Sequence, residues 1–231
     1  MGLIRPGRQL ARLTLDTLAD LPDDVRSCLF WELDPVRRER AHRAGEAKSE
    51  KEAWLSGVLL DWGSCGRVAY VDDLAVGFVV YAPAPYLPGA DTLPTAPISE
   101  DAVLLSTAFV LPEYAGGGIG RMLMQSAVGD IVKRGGIRAV EAFGDTKAPK
   151  RGGVEHRCCV LPADYLLSVG FKTQRQHVRF PRMRLEVKSA VTWRGEVEAA
   201  LEKLLGVVRP GRAPQPAHDH RGVGHRSAGP R

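Results

Sequence analysis

The feature that most restricts this chain is a junction. The apolar run at residues 102–111, AVLLSTAFVL, ends at Pro112 and soon reaches four glycines, Gly116, Gly117, Gly118 and Gly120, that open straight into a helical pattern. Such a run suits a strand buried on both faces. Ile119, Met122, Leu123, Ala127 and Ile131 then recur at helical spacing, with Gly135 placed as a C-cap. A strand that passes through glycines into a helix makes an anion site. Backbone N–H groups point into the turn, the helix dipole adds positive charge, and missing side chains let a phosphate reach the main chain. Glycines alone fit a flexible loop with a tight helix–strand contact equally well. The spacing does not match a Walker loop, which needs GxxxxGK followed by Ser or Thr. Nor does it match the dinucleotide fingerprint GxGxxG, whose third glycine would fall on Leu123 or Arg121, so both nucleotide readings lose ground.

The stretch resembles the acyl-CoA-binding motif of the GNAT superfamily of N-acetyltransferases. There a strand is followed by Pro, then Gln or Arg, two variable residues, Gly, a variable residue and Gly. This sequence offers Val110, Leu111 and Pro112, then Ala115, Gly116, Gly117, Gly118, Ile119 and Gly120, with Arg121 next. Ala115 departs from the usual Gln or Arg. A second signature is DYLLSVGF at residues 164–171, in which Gly170 and Phe171 match and Tyr165 is the aromatic residue five before the glycine. Leu166 stands where the family often carries its proton-donating Tyr. The resemblance covers about residues 10–188.

It implies an α/β (α+β) GNAT acyl-CoA N-acyltransferase fold, with a mixed central sheet of six to seven strands flanked by helices. It also implies transfer of an acetyl or other acyl group from acetyl-CoA to an amine, by direct attack in a ternary complex, with no metal. The turn from Ala115 to Arg121 is implied to hold the CoA pyrophosphate, and Phe109 and Val110 to bond the pantetheine arm. A backbone N–H near Val110 would polarise the thioester. An amine must lose its proton before attack, and a leaving thiolate benefits from one. Glu141, interrupting an apolar strand, is the candidate base; a strand-end acid facing solvent is the competing reading. Tyr165 is the candidate acid, displaced by one residue, or about 100° on a helix, from the usual position, which favours core packing. Cys159 falls where many members place an Asn that contacts CoA or the acceptor, although adjacent cysteines are more often small buried hydrophobes. His156 and His177 lack partners at ligand spacing.

The remaining segments supply the rest of such a fold. Residues 10–15 read as a short strand. Asp20, Pro22, Asp23 and Asp24 read as a helix start with acids at the positive end of the dipole. Residues 37–43 read as a solvated, arginine-rich helix face or loop. Ser49 and Glu52 have the spacing of a capping box for a helix over 50–62, with Trp54, Leu55, Val58, Leu59 and Trp62 as its apolar stripe. Residues 67–71 and 75–81 form a hairpin around Asp72 and Asp73. Five prolines within 83–97 exclude a central strand there. Residues 137–143 are a strand, 144–157 an irregular basic stretch, 163–169 a short helix, and 171–180 and 184–187 closing strands. Domain organisation follows: an N-terminal extension (1–9), the acetyltransferase domain (10–188), a C-terminal amphipathic helix (189–208) and a disordered basic tail (209–231).

The formal charge of +5 first suggests an acidic partner. Five arginines against one acid in 209–231 account for +4, leaving 27 basic and 26 acidic groups, or +1, for the rest. The sequence has no aromatic platform or recognition helix for nucleic acid. Four cysteines without CxxC spacing argue against a disulfide framework, zinc or a redox motif and point to a reducing, cytoplasmic setting. No apolar run reaches signal-peptide or membrane-span length. The expected partner is an amine on a small molecule or a protein or peptide, entering between residues 83–100 and 144–157; a homodimer is compatible with this. Lys147, Lys150, Arg151 and Arg157 would favour an acidic acceptor or the CoA 3′-phosphate; a solvated rim is the equal alternative. The second functional reading is a catalytically impaired GNAT-fold protein that senses acyl-CoA.

Overall fold

The computed structural model describes residues 7–148 and 159–188. A curved sheet runs β1 (Arg8–Arg12), β2 (Gly66–Val71), β3 (Leu74–Ala82), β4 (Ala102–Val110), β5 (Ala139–Asp145), β8 (Arg182–Glu186) and β7 (Lys172–Arg175), with the two-residue β6 (Leu161–Pro162) beside β5. All pairings are antiparallel except β4 with β5 and β5 with β6. The mixed sheet expected from the sequence is present, with seven strands on its main path and β6 as an addition.

Local chemistry explains the elements. The β2–β3 turn needs two left-handed residues, and Asp72 (φ 49°) and Asp73 (φ 66°) supply them, as a two-residue hairpin requires. Before the sheet's centre come α1 (Leu15–Ala19), α2 (Asp23–Ser27), α3 (Pro35–Ala44) and α4 (Ala47–Asp61). Thr14 and Thr17 form a reciprocal capping box on α1, and Asp34 caps α3 by accepting the N–H groups of Val36 and Arg37. The expected Ser49–Glu52 box does not form. Its helix starts earlier, at Ala47, and the Ser49 hydroxyl donates back to the Glu46 carbonyl at 2.9 Å. The apolar stripe of α4 is as expected, with Leu55 and Val58 fully buried.

The two faces of the sheet carry separate cores. One holds α1, α2 and α4 against Val68, Phe78, Val80, Leu104 and Phe143, with α3 packed on α4 through a separate small cluster around Ala41 and Ala47. The other holds α5 (Ile119–Arg134) and α6 (Ala163–Ser168) against Val79, Tyr81, Leu105, Val140 and Ala142. Burying Ile119, Leu123, Met124 and Ile131 contributes about 1.5–3 kcal/mol per side chain. A polar clamp fixes where α5 lies: Asp130 accepts from Arg67 Nε at 2.7 Å and from the Tyr81 hydroxyl at 2.9 Å. Gly135 ends α5 as expected, at φ 72°.

One strand is shorter than the sequence suggests. Of residues 171–180 only Lys172–Arg175 pair, because the His177 ring Nδ1 accepts the N–H groups of Arg179 and Phe180 and bends the chain out of the sheet. The amphipathic helix at 189–208, the tail at 209–231, and Lys150, Arg151, His156, Arg157 and Cys158 lie outside the described residues.

Candidate active site at the open end of the β4–β5 pair

β4 and β5 pair only from Ala102 with Ala139 to Leu104 with Glu141. Beyond that point β4 stays on β3 as far as Val110, while β5 leaves and is joined by β6 at Gly144 and Leu161. Among the described residues the second half of β4 therefore has a free edge, and Thr107, Ala108, Phe109 and Val110 are only half-buried. Val110 faces the α5–α6 core and Phe109 the other, where it meets Phe78 at 5.8 Å between ring centroids.

At the end of that edge sits the glycine turn. The N–H of Ala115 is used by the Pro112 carbonyl, but among the described residues no acceptor takes the N–H groups of Gly116, Gly117, Gly118, Ile119 or Gly120. Gly116 (φ 80°) and Gly118 (φ 84°) are left-handed, so a side chain at either would be strained. Arg8 reaches across from β1, its Nη1 donating to the Gly117 carbonyl at 2.8 Å. Ala115 and Arg121 are exposed on the turn's outer side. The cradle is thus five unbonded donors at the positive end of a 16-residue helix.

Tyr165 closes the inner side of this turn. Its hydroxyl donates to the Gly120 carbonyl at 3.3 Å, and a Cβ on residue 120 would lie 3.4 Å from that hydroxyl and 3.7 Å from Val110 Cγ2. Val110, Gly120 and Tyr165 therefore converge, and burial pushes the Tyr165 phenol up to about 12. Leu166 is fully buried in the core.

Glu141 belongs to the paired stretch, at its last position before the strands part. It does not face solvent: it is fully buried, with Oε1 accepting from Ser99 Oγ (2.6 Å) and Arg184 Nη1 (3.0 Å). Its Oε2 accepts the Ser99 N–H at 3.1 Å and lies 3.3 Å from Arg182 Nε. Arg184 also binds Asp101 in a two-pronged contact at 2.9 and 3.0 Å, which raises the guanidinium and lowers the Asp101 carboxyl.

Cys159 is on the α1–α4 side. Its thiol lies 3.0 Å from Cys28 Sγ, and its carbonyl accepts the Trp31 indole N–H at 2.9 Å. Trp31 stacks on Phe143, 6.1 Å between centroids, next to the open stretch of β5. Three residues here escaped the sequence reading: Arg8, Cys28 and Asp145. Asp145 ends β5 with 3% exposure, its Oδ1 accepting the Lys147 N–H at 2.8 Å and facing Arg179 Nε at 3.6 Å. Its one sequence signal is an acid closing an apolar strand. Ser106, the polar residue inside β4, is occupied by the Val80 carbonyl.

A family model for the GNAT acetyltransferase family matches residues 25–151. The chain belongs to that family. The match includes β4 and the glycine turn and ends before Cys159 and Tyr165. Among solved structures, yncA of Salmonella typhimurium, determined with its cofactor acetyl-CoA, is 13% identical over 78% of this chain and 94% of its own, with a TM-score of 0.50. The PaiA N-acetyltransferase of Thermoplasma acidophilum in complex with coenzyme A is 16% identical over 78% and 99%, with a TM-score of 0.49. An N-acetyltransferase from Staphylococcus aureus is 13% identical over 78% and 99%, also at 0.49. No curated protein matches the sequence. Among the described residues no helix is long and apolar enough to cross a membrane, and no three metal-ligating side chains gather.

Proposed function

We propose that the protein transfers an acyl group, acetyl first, from acyl-CoA to the amine of a small molecule, protein or peptide. The observation that carries this reading is the divergence of β4 from β5 beside five unbonded backbone N–H groups. A strand edge and an anion cradle set end to end fit a ligand that is amide-rich at one end and phosphorylated at the other. When bound, acyl-CoA supplies the thioester carbonyl that the amine attacks.

The chain's own groups then divide the work. The N–H groups at 116–120 and the α5 dipole hold the pyrophosphate, and Arg121 adds positive charge on the outer side. Arg8 is a positioning residue. By holding the Gly117 carbonyl it turns the N–H of the same trans peptide, that of Gly118, the opposite way, toward the cradle. This compensates for Ala115, where the motif usually has a basic or amide side chain. Val110, whose main chain points away from β3 because that of Leu111 points toward it, offers its N–H and carbonyl along the free edge beside Phe109, and that N–H polarises the thioester carbonyl.

Proton handling falls to the buried Asp145 and the half-buried Tyr165. Asp145, at the open end of β5, attracts the acceptor ammonium and takes its proton. Tyr165, whose phenol burial keeps protonated at neutral pH, returns a proton to the leaving sulfur. Glu141 serves the sheet instead, because both its oxygens are already committed to Ser99 and two arginines.

One observation favours the acyl-CoA sensor as a second reading. Leu166 fills the usual donor position, and the Tyr165 hydroxyl is already engaged with Gly120. Calorimetry with acetyl-CoA followed by an amine screen read by thiol release separates the two. Binding with turnover of any amine establishes the transferase, binding without turnover establishes the sensor, and absence of binding at millimolar ligand overturns both.

A further inference from the structure

Cys28 and Cys159 are 131 residues apart in sequence, and their sulfurs stand 3.0 Å apart. Both are partly exposed, whereas Cys65, the remaining described cysteine, is fully buried. The main chain is tied down on either side of the sulfurs. Lys51 Nζ donates to the Cys28 carbonyl at 2.9 Å while paired with the buried Glu32 carboxylate, and Trp31 Nε1 donates to the Cys159 carbonyl at 2.9 Å. Trp31 is itself held by its stack on Phe143 and by the Gly89 N–H at its carbonyl. The two sulfurs are thus presented to each other by a braced frame. A disulfide bond is about 2.05 Å long, so the sulfurs need close by only about 1 Å.

The chemistry of the pair is asymmetric. The Cys159 S–H hydrogen bond lowers the Cys28 thiol to about 7, and the same contact, with burial, raises Cys159. Cys28 is therefore the thiolate of the pair near neutral pH, while burial pushes Cys65 up to about 12 and leaves it inert.

We propose that Cys28 and Cys159 are the site of a reversible disulfide, formed by exchange with a low-molecular-weight disulfide such as oxidised glutathione. The Cys28 thiolate attacks one glutathione sulfur, forming a mixed disulfide and releasing one glutathione thiolate. Cys159 then loses its proton and attacks Cys28 Sγ, forming the intramolecular bond and releasing the second glutathione. Two protein thiols are oxidised and one glutathione disulfide is reduced to two thiols. The bond ties the end of α2 to the segment leading into β6 and α6, beside the Trp31–Phe143 wall.

The test uses the full chain in glutathione redox buffers, quenched in acid, blocked with N-ethylmaleimide and mapped by mass spectrometry. The expected product is a Cys28–Cys159 cross-link that dithiothreitol reverses, that persists in Cys158→Ser, and that is lost in Cys28→Ser and Cys159→Ser. Because the bond closes a long loop, the melting temperature of the cross-linked form should rise by roughly 5–10 °C. A Cys28–Cys158 cross-link, a stable glutathione adduct on Cys28 without ring closure, or a cross-link that forms equally well in unfolding concentrations of urea would each overturn the proposal.

Discussion

The two ends of the β4–β5 pair handle polar groups in opposite ways. At the closed end, Glu141, Ser99, Asp101, Arg182, Arg184 and Glu186 knit together, and the buried Glu141 carboxylate meets a donor or cation at each oxygen. At the open end, among the described residues, five successive N–H groups have no acceptor and half of β4 has no neighbour on one side. Unpaired backbone donors are expensive wherever water is excluded. A chain tolerates a row of them at an exposed turn, and there they are ready for an anion. The closed end holds the sheet; the open end is where a ligand completes it.

This contrast can be broken or sharpened by substitution. The largest effect belongs to the closed end. Glu141→Ala strips the buried partner from Arg182 and Arg184 and should cost about 3–5 kcal/mol in chemical denaturation, while any folded fraction still binds acetyl-CoA. Asp145→Asn should lower kcat/KM roughly a hundredfold, the scale of a lost general base, without weakening CoA binding. A loss of CoA affinity instead would move Asp145 into the binding machinery.

Smaller effects belong to the turn. Gly118→Ala forces an alanine to φ 84°, costing about 1–2 kcal/mol, and should weaken acetyl-CoA binding roughly tenfold, read by calorimetry. Arg8→Ala should raise the dissociation constant roughly threefold to tenfold, the worth of an exposed hydrogen bond of about 1 kcal/mol. Arg8→Lys should recover part of that loss, and the melting temperature should stay nearly constant. The smallest is a pH effect behind the turn. Burial alone would raise the Asp130 carboxyl, but hydrogen bonds from Arg67 and Tyr81 hold it below the usual carboxylate range. Its stabilising contribution is therefore full above about pH 4 and lost as pH falls through the lowered folded value. The stability gap between wild type and Asp130→Asn should shrink over that range and stay constant above it.

What could be read in the sequence was local. The Asp72–Asp73 hairpin, β4 as a strand and the glycine turn into α5 each declare themselves within a dozen residues, because backbone conformation is written into adjacent positions; burial of β4 on both faces, expected throughout, holds only for Val103–Ser106. The Ser49–Glu52 box misleads for the same reason: its spacing fits a cap, but the Glu46 carbonyl and the packing of α3 on α4 start the helix earlier. Glu141 could be singled out as an acid in an apolar strand, yet its partners come from Ser99 and from β8, more than forty residues away on either side. The parting of β4 from β5, the reach of Arg8 to Gly117 and the meeting of Cys28 with Cys159 are products of tertiary pairing, with no signature in any window of sequence.

The central claim is that the N–H groups at 116–120 are the ligand's anion site, and amide-resolved NMR addresses it residue by residue. On titrating isotope-labelled protein with acetyl-CoA, the resonances of Gly116, Gly117, Gly118, Ile119 and Gly120 should move together and saturate with a dissociation constant below about 1 mM, with those of Glu141 and Arg184 unmoved. Saturable shifts elsewhere with the turn unchanged, or no shifts at all, would contradict the account.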